Sequence, residues 1–253
     1  MIEIANLTKG FTGSRLIHQG INLSLPAGKM TVIIGKSGEG KSLLLKQIVG
    51  LIKPTSGQIL IDQTDIVQAN LAERTAVLKR CGYVFQFAAL LDSLDIFQNI
   101  GITLLEVGKN RAEVLPLVKQ VIKAVSLPEH VLDKYPSELS GGMLKRAGLA
   151  RTLLTNPEII LYDEPTSGLD PITTRIIHEL MASLQQQRQL TSVVISHDLD
   201  IFNYADYVAL LANGRVQFFG DAKTIWQSEN PYIYQFIRGL TAGPLQNDSS
   251  QTA

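Results

Sequence analysis

Short apolar runs ending in glycine or polar residues alternate with stretches whose apolar positions recur every three or four residues, the patterning of an α/β chain. Met1 to Leu7 and Gly20 to Leu25 read as strands around a glycine-containing turn. Thr31 to Ile34 is a β-branched run that enters a glycine-rich turn, and behind Ser42 the residues Leu43, Leu44, Leu45, Ile48 and Val49 take helical spacing. Strand, loop and helix follow one another. Lys53-Pro54-Thr55-Ser56-Gly57 ends that helix and opens a strand over Gln58 to Ile61. Cys81 to Gln86 reads as a buried strand with a polar end, Glu158 to Tyr162 as another, and Thr191 to Ser196 as a further core strand.

From Phe87 to about Pro157 the pattern is helical. Val114, Leu117, Val118, Val121, Ile122 and Val125 form one apolar stripe. Asn110 and Glu113 offer a capping box for its start, while Pro116 should kink the helix or mark a later beginning. Pro128 and Pro136 break the stretch. After Leu139-Ser140-Gly141-Gly142-Met143, a helix over Leu144 to Leu154 is closed by Asn156-Pro157. The run Phe87, Leu90, Leu91 and Leu94 is more apolar than a solvated segment should be, which predicts a groove for a partner helix.

Composition narrows the class. The 253 residues carry 23 Lys plus Arg against 23 Asp plus Glu, so no basic excess serves a nucleic-acid backbone. The charged fraction of 18% is low and the mean hydropathy slightly positive, which predicts apolar surface against another protein. No apolar run approaches the roughly 18 residues of a membrane span, and no secretion signal opens the chain. A single cysteine, Cys81, excludes an internal disulfide.

The candidate chemistry sits where strands end. Gly35-Lys36-Ser37-Gly38-Glu39-Gly40-Lys41-Ser42 matches the phosphate-loop pattern, in which positions without side chains let backbone N–H groups turn around an anion. The following helix aims its positive dipole end at the same anion; Lys41 adds a charge, and the Ser42 hydroxyl suits a magnesium ion. Ser140-Gly141-Gly142 makes a second glycine-led helix start, a second place to receive an anion. Asp163 and Glu164 close an apolar strand, where two carboxylates are costly to desolvate without a cation or a proton to handle. Asp163 is suited to a magnesium shell and Glu164 to polarising a water. Gln86 either caps its strand or contacts metal or water, and Phe11 is either a core aromatic or an adenine stacker. Of the four histidines, His18, His130 and His178 read as structural or exposed, whereas His197 occupies a strand terminus.

In order, GKSGEGKS, VFQ, LSGGM, IILYDE, SGLD and ISHD resemble the Walker A, Q-loop, signature, Walker B, D-loop and switch histidine of the ATP-binding cassette ATPases, from Ile2 to about Leu240. The resemblance implies a P-loop NTPase, RecA-like α/β core (1–86 and 157–240) with an N-terminal antiparallel β subdomain, an inserted α-helical subdomain (87–156) and a flexible tail (241–253). It implies ATP and Mg²⁺ as cofactors, with Phe11 on the adenine, residues 35–42 on the phosphates, and Ser42, Gln86 and Asp163 around the metal. Glu164 is then the general base and His197 the γ-phosphate contact. It also implies a homodimer in which the signature residues Ser140, Gly141 and Gly142 face the partner's phosphate loop, and it counts Asp170 of the D-loop among the nucleotide-binding residues. Met143 departs from the family's usual glutamine.

Phe85 to Leu94, SGGMLKR, LYDEPTSGLDPI and QFIRGLTAGP are similar to the Mla/MCE-type ATPases of lipid traffic across Gram-negative envelopes. That likeness implies a multispanning permease, an MCE-domain lipid-binding protein, a STAS-domain subunit and a peripheral place on the cytoplasmic face of the inner membrane, with no nucleic-acid partner. The other readings are an importer for amino acids or another small solute, and a soluble cassette ATPase acting on DNA or ribosomes.

Overall fold

The structure, a computed structural model, describes residues 1–11 and 16–245. The chain divides into two units, Met1–Leu78 with Val193–Ala253, and Lys79–Ser192. The first unit opens with β1 (Ile2–Lys9), β2 (His18–Leu25), β3 (Met30–Ile34), α1 (Lys41–Ile48), β4 (Ser56–Ile61), β5 (Thr64–Asp65) and α2 (Leu71–Leu78). The second carries β6 (Cys81–Val84), α3 (Ile96–Glu106), α4 (Arg111–Ala124), α5 (Gly141–Leu154), β7 (Ile159–Asp163) and α6 (Pro171–Arg188). The boundary falls within β8 (Thr191–Ile195); β9 (Tyr207–Ala212), β10 (Arg215–Asp221) and α7 (Pro231–Arg238) return to the first unit.

The first unit holds an antiparallel sheet in the order β2-β1-β4-β5. Ile2 lies opposite Leu25 and Ile61, and Ile4 opposite Leu23 and Ile59, so the period of two buries these side chains together while Glu3 and Ser24 face out. Leu7 stands three residues beyond Ile4 and would face solvent in an unbroken pleat. A register shift between them, with Asn6 at φ 49°, returns Leu7 to the core. Strand β3 is buried along its whole length and pairs in parallel with β9, Thr31 opposite Tyr207 and Ile34 opposite Leu210. A parallel strand covered on both faces needs a near-continuous apolar run, which Met30, Val32, Ile33 and Ile34 supply around buried Thr31. The hairpin from β9 to β10 turns on Asn213-Gly214, both at positive φ, the left-handed pair that a two-residue loop demands.

In the second unit β6 pairs in parallel with β7, Cys81 opposite Ile159 and Val84 opposite Tyr162. Helices α3 and α4 open on capping boxes, Asp95 with Gln98 and Asn110 with Glu113. Helix α4 therefore starts at Arg111 with Pro116 inside it, and no later beginning occurs. Its stripe is buried at Val114, Val118, Val121, Ile122 and Val125, while Leu117 is exposed. Helix α5 begins three residues before Leu144, with both glycines in its first turn.

The segment past α7 is fastened at its near end. Gln235, buried on α7, accepts the Leu245 N–H at 2.7 Å and donates to the carbonyls of Leu240 and Leu245. The expected tail is thus anchored through Leu245, and its remainder, 246–253, lies outside the described residues. Among the described residues no helix is long and apolar enough to cross a membrane.

Candidate functional site

The first unit carries the phosphate loop between β3 and α1. Gly35 leaves the strand at φ 153°, where a Cβ would lie 2.2 Å from the Leu211 carbonyl oxygen, so only glycine lets the chain turn here. Gly40 caps α1 in the left-handed region, without a side-chain capping bond and without an acidic residue in the first turn. That end suits an anion. Lys41 is buried, and its Nζ donates to the carbonyls of Gly35 at 2.8 Å and Lys36 at 2.7 Å, so the ammonium lies along the loop.

His18, read from sequence as structural or exposed, is fully buried on β2 and touches this loop. Its Nε2 lies 3.1 Å from the Gly40 carbonyl oxygen and its Nδ1 2.8 Å from the Gln47 side chain on α1. Burial pushes the imidazole below its usual range, so the ring is neutral at pH 7. Phe11 is half-exposed under the Lys9 ammonium, 4.9 Å from the ring centroid, at the border of residues 12–15, which are outside the described set. His197 is exposed just past β8, in a turn where Ser196 Oγ accepts the Asp198 N–H.

The second unit gathers the carboxylates. Asp163 ends β7 and is buried; Tyr83 on β6 donates its hydroxyl to Asp163 Oδ2 at 2.8 Å. Burial and that carboxylate drive the Tyr83 hydroxyl far above the usual phenol range, so it remains a donor. Glu164 follows at φ 47°, a left-handed conformation costly for a residue with a side chain. Gln86 Nε2 donates to Glu164 Oε2 at 3.1 Å and to Ser167 Oγ at 3.2 Å. Lys145, on α5, donates to the Gln86 carbonyl; burial lowers its ammonium while the Glu164 charge opposes that shift. The loop after Gln86 is held in turn by Arg151, which donates to the carbonyls of Ala88 and Ala89, and by buried Asn99. Phe87 and Leu91 on this loop are exposed.

Gln86, Asp163 and Glu164 therefore lie together, joined by Tyr83, Lys145 and Ser167. Ser140 caps α5 by accepting the Met143 N–H; Gly141 is exposed, and a Cβ on buried Gly142 would come within 2.5 Å of Thr173 Cγ2. Asp170 caps α6, accepting from the N–H groups of Ile172 and Thr173 and from Thr173 Oγ1 at 2.6 Å. Those bonds, the hydroxyl first, hold its carboxyl below the usual range.

A phosphate cradle in one unit and paired carboxylates beside an amide and an ammonium in the other are the equipment of a nucleotide-hydrolysing protein. The profile of the ABC transporter family matches residues 18–167. The chain is 38% identical over 250 residues to the intermembrane phospholipid transport system ATP-binding protein MlaF of Haemophilus influenzae, covering 97% of this chain and 93% of that one. It is 37% identical over 246 residues to the probable ribonucleotide transport ATP-binding protein mkl of Mycobacterium leprae, covering 96% and 70%. Among solved structures, the dimeric post-hydrolysis ATP-binding cassette MJ0796 with ADP and Pi superposes with a TM-score of 0.79 at 30% identity, over 88% of this chain and 99% of that one. The chain belongs to the ABC transporter family. Within it, the chain is an ATP-binding, ATP-hydrolysing subunit.

Proposed function

We propose that this chain powers phospholipid movement between the membranes of a Gram-negative envelope. The observation that carries the reading is the 38% identity running across 93% of MlaF. In this reading a core of 1–86 and 157–240 bears an inserted helical subdomain, 87–156, and the chain sits on the cytoplasmic face of the inner membrane against a multispanning permease. Exposed Phe87 and Leu91 suit the permease contact. An MCE-domain protein and a STAS-domain subunit complete the proposed assembly.

For the chemistry, residues 35–42 take the ATP phosphates and Phe11 the adenine. Ser42, Gln86 and Asp163 each offer an oxygen suited to Mg²⁺, Gln86 through its side-chain carbonyl because its nitrogen is already spent on Glu164 and Ser167. The ion, when bound, supplies positive charge against the phosphate oxygens. Glu164, oriented by Gln86, accepts the proton of the attacking water, and His197 donates toward the γ-phosphate. A second copy closes the nucleotide with Ser140, Gly141, Gly142 and Asp170, a reading supported by the dimeric cassette that this chain resembles.

The test is to purify the chain with its native membrane partners and reconstitute the complex in vesicles holding fluorescent phospholipid. ATP-dependent lipid transfer, lost in Glu164→Gln, is expected. ATPase stimulation by ribonucleotides or amino acids in place of phospholipid would reassign the cargo to a small solute.

A further inference from the structure

The His18 ring lies between two groups that both face it through oxygen, the Gly40 carbonyl and Gln47 Oε1. A neutral imidazole has one N–H and cannot donate to both. Turning the Gln47 amide end for end resolves the conflict: its NH₂ then donates to Nδ1, and the single ring hydrogen sits on Nε2 and donates to Gly40. The same turn gives Gln47 Nε2, buried and otherwise without a partner, the bond it lacks. The Gly40 oxygen already accepts the Leu44 N–H at 2.9 Å as the first bond of α1, so His18 fills its second lone pair. Gly40 is shaped for this ring, since a Cβ there would lie 2.7 Å from His18 Nε2 and 2.6 Å from Ile17 Cγ2.

In a trans peptide the C=O and N–H point in opposite directions. Fixing the Gly40 oxygen therefore fixes the direction of the Lys41 N–H, the first amide of α1. We propose that His18 is a positioning residue for nucleotide: by donating from Nε2 to Gly40 it holds the Gly40–Lys41 peptide with its N–H aimed into the phosphate cradle. This inference rests on reading residues 35–42 as that cradle.

The test uses three substitutions and a fluorescent ATP analogue titrated in EDTA, with melting temperature measured alongside. His18→Gln keeps an amide donor at the Nε2 position and loses the Nδ1 acceptor, whereas His18→Asn reaches only Gln47. His18→Phe keeps the ring and loses both. His18→Gln is expected to bind within about twofold of wild type, while His18→Asn and His18→Phe bind about fivefold to tenfold more weakly, the worth of one hydrogen bond. If the ring served packing alone, His18→Phe would bind best of the three; that ranking, or equal losses in His18→Gln and His18→Asn, overturns the proposal. Should His18→Phe not fold, the contrast between Gln and Asn carries the test. Lys41→Ala separates the two levels: weakened binding there with wild-type binding in His18→Phe and His18→Asn removes only the role of His18. Wild-type binding in Lys41→Ala removes the cradle reading and this inference with it.

Discussion

The phosphate loop and the carboxylate cluster are built on opposite plans. The loop is one continuous segment whose shape comes from backbone: glycine at Gly35 and Gly40, a helix N-terminus, and Lys41 folded onto carbonyls of its own loop. The cluster is made of side chains from distant segments, Tyr83 to Asp163 and Gln86 to Glu164 and Ser167, with Lys145 behind Gln86. A backbone cradle tolerates most side-chain changes and fails where a glycine is lost. A side-chain network has each member holding another, so a single missing hydroxyl or amide leaves a buried partner unsatisfied.

The sharpest way to break the comparison is Glu164→Gln. Removing the proposed general base should slow hydrolysis by about 10²–10⁴ while nucleotide binding, which the proposal gives to the loop, stays near wild type. Single-turnover rates beside equilibrium binding check this, and a wild-type rate would reassign the base.

Next in size is Tyr83→Phe, which deletes only the hydroxyl that holds Asp163 Oδ2. Outer-shell partners of metal ligands typically change affinity by roughly 10- to 100-fold, so with Asp163 as the proposed ligand the Mn²⁺ affinity of the ADP-bound protein, followed by electron paramagnetic resonance, should fall by that order. Metal-free nucleotide binding should not move. An unchanged Mn²⁺ affinity would make Tyr83 a packing residue.

Asp170→Ala sharpens the contrast further, because Asp170 works locally as the α6 cap as well as being a candidate ligand to a partner's nucleotide. Loss of the cap should cost about 1 kcal/mol, read as a lowered denaturant midpoint. Asp170→Asn keeps a capping oxygen and should recover most of that stability; an equal loss in both variants would argue that the charge, not the cap, matters.

The smallest expected effect is with acid. His18 is held below its ordinary value of 6.5 by burial, so the unfolded chain binds this proton more readily than the folded one. The stability is complete above about pH 6.5 and declines as the pH falls below it, until the folded ring itself takes the proton, at a slope of at most about 1.4 kcal/mol per pH unit. Urea unfolding of wild type and His18→Gln at pH 7.5 and 5.5 checks this; the acid loss should be smaller in the variant.

The sequence by itself determined the local plan. A glycine-rich turn between a mostly apolar, β-branched strand and an amphipathic helix is readable because strand, turn and helix signals lie within a few residues of one another, and Asn110 with Glu113 marks the α4 cap for the same reason. Helix α6 carries the same kind of local mark, Ile177, Leu180, Met181 and Leu184 at helical spacing behind the start signal of Asp170 and Pro171. Only the tertiary structure decided the role of His18. Counted by twos from Leu25 it falls on the outer face of β2, and the register irregularity between the Leu7–Ile21 and Thr8–Gln19 pairs turns it into the core, onto Gly40. Tyr83 and Asp163 are likewise 80 residues apart. What joins them is the parallel pairing of β6 with β7, a long-range contact whose register depends on packing on both faces of the sheet and leaves no local mark in the chain.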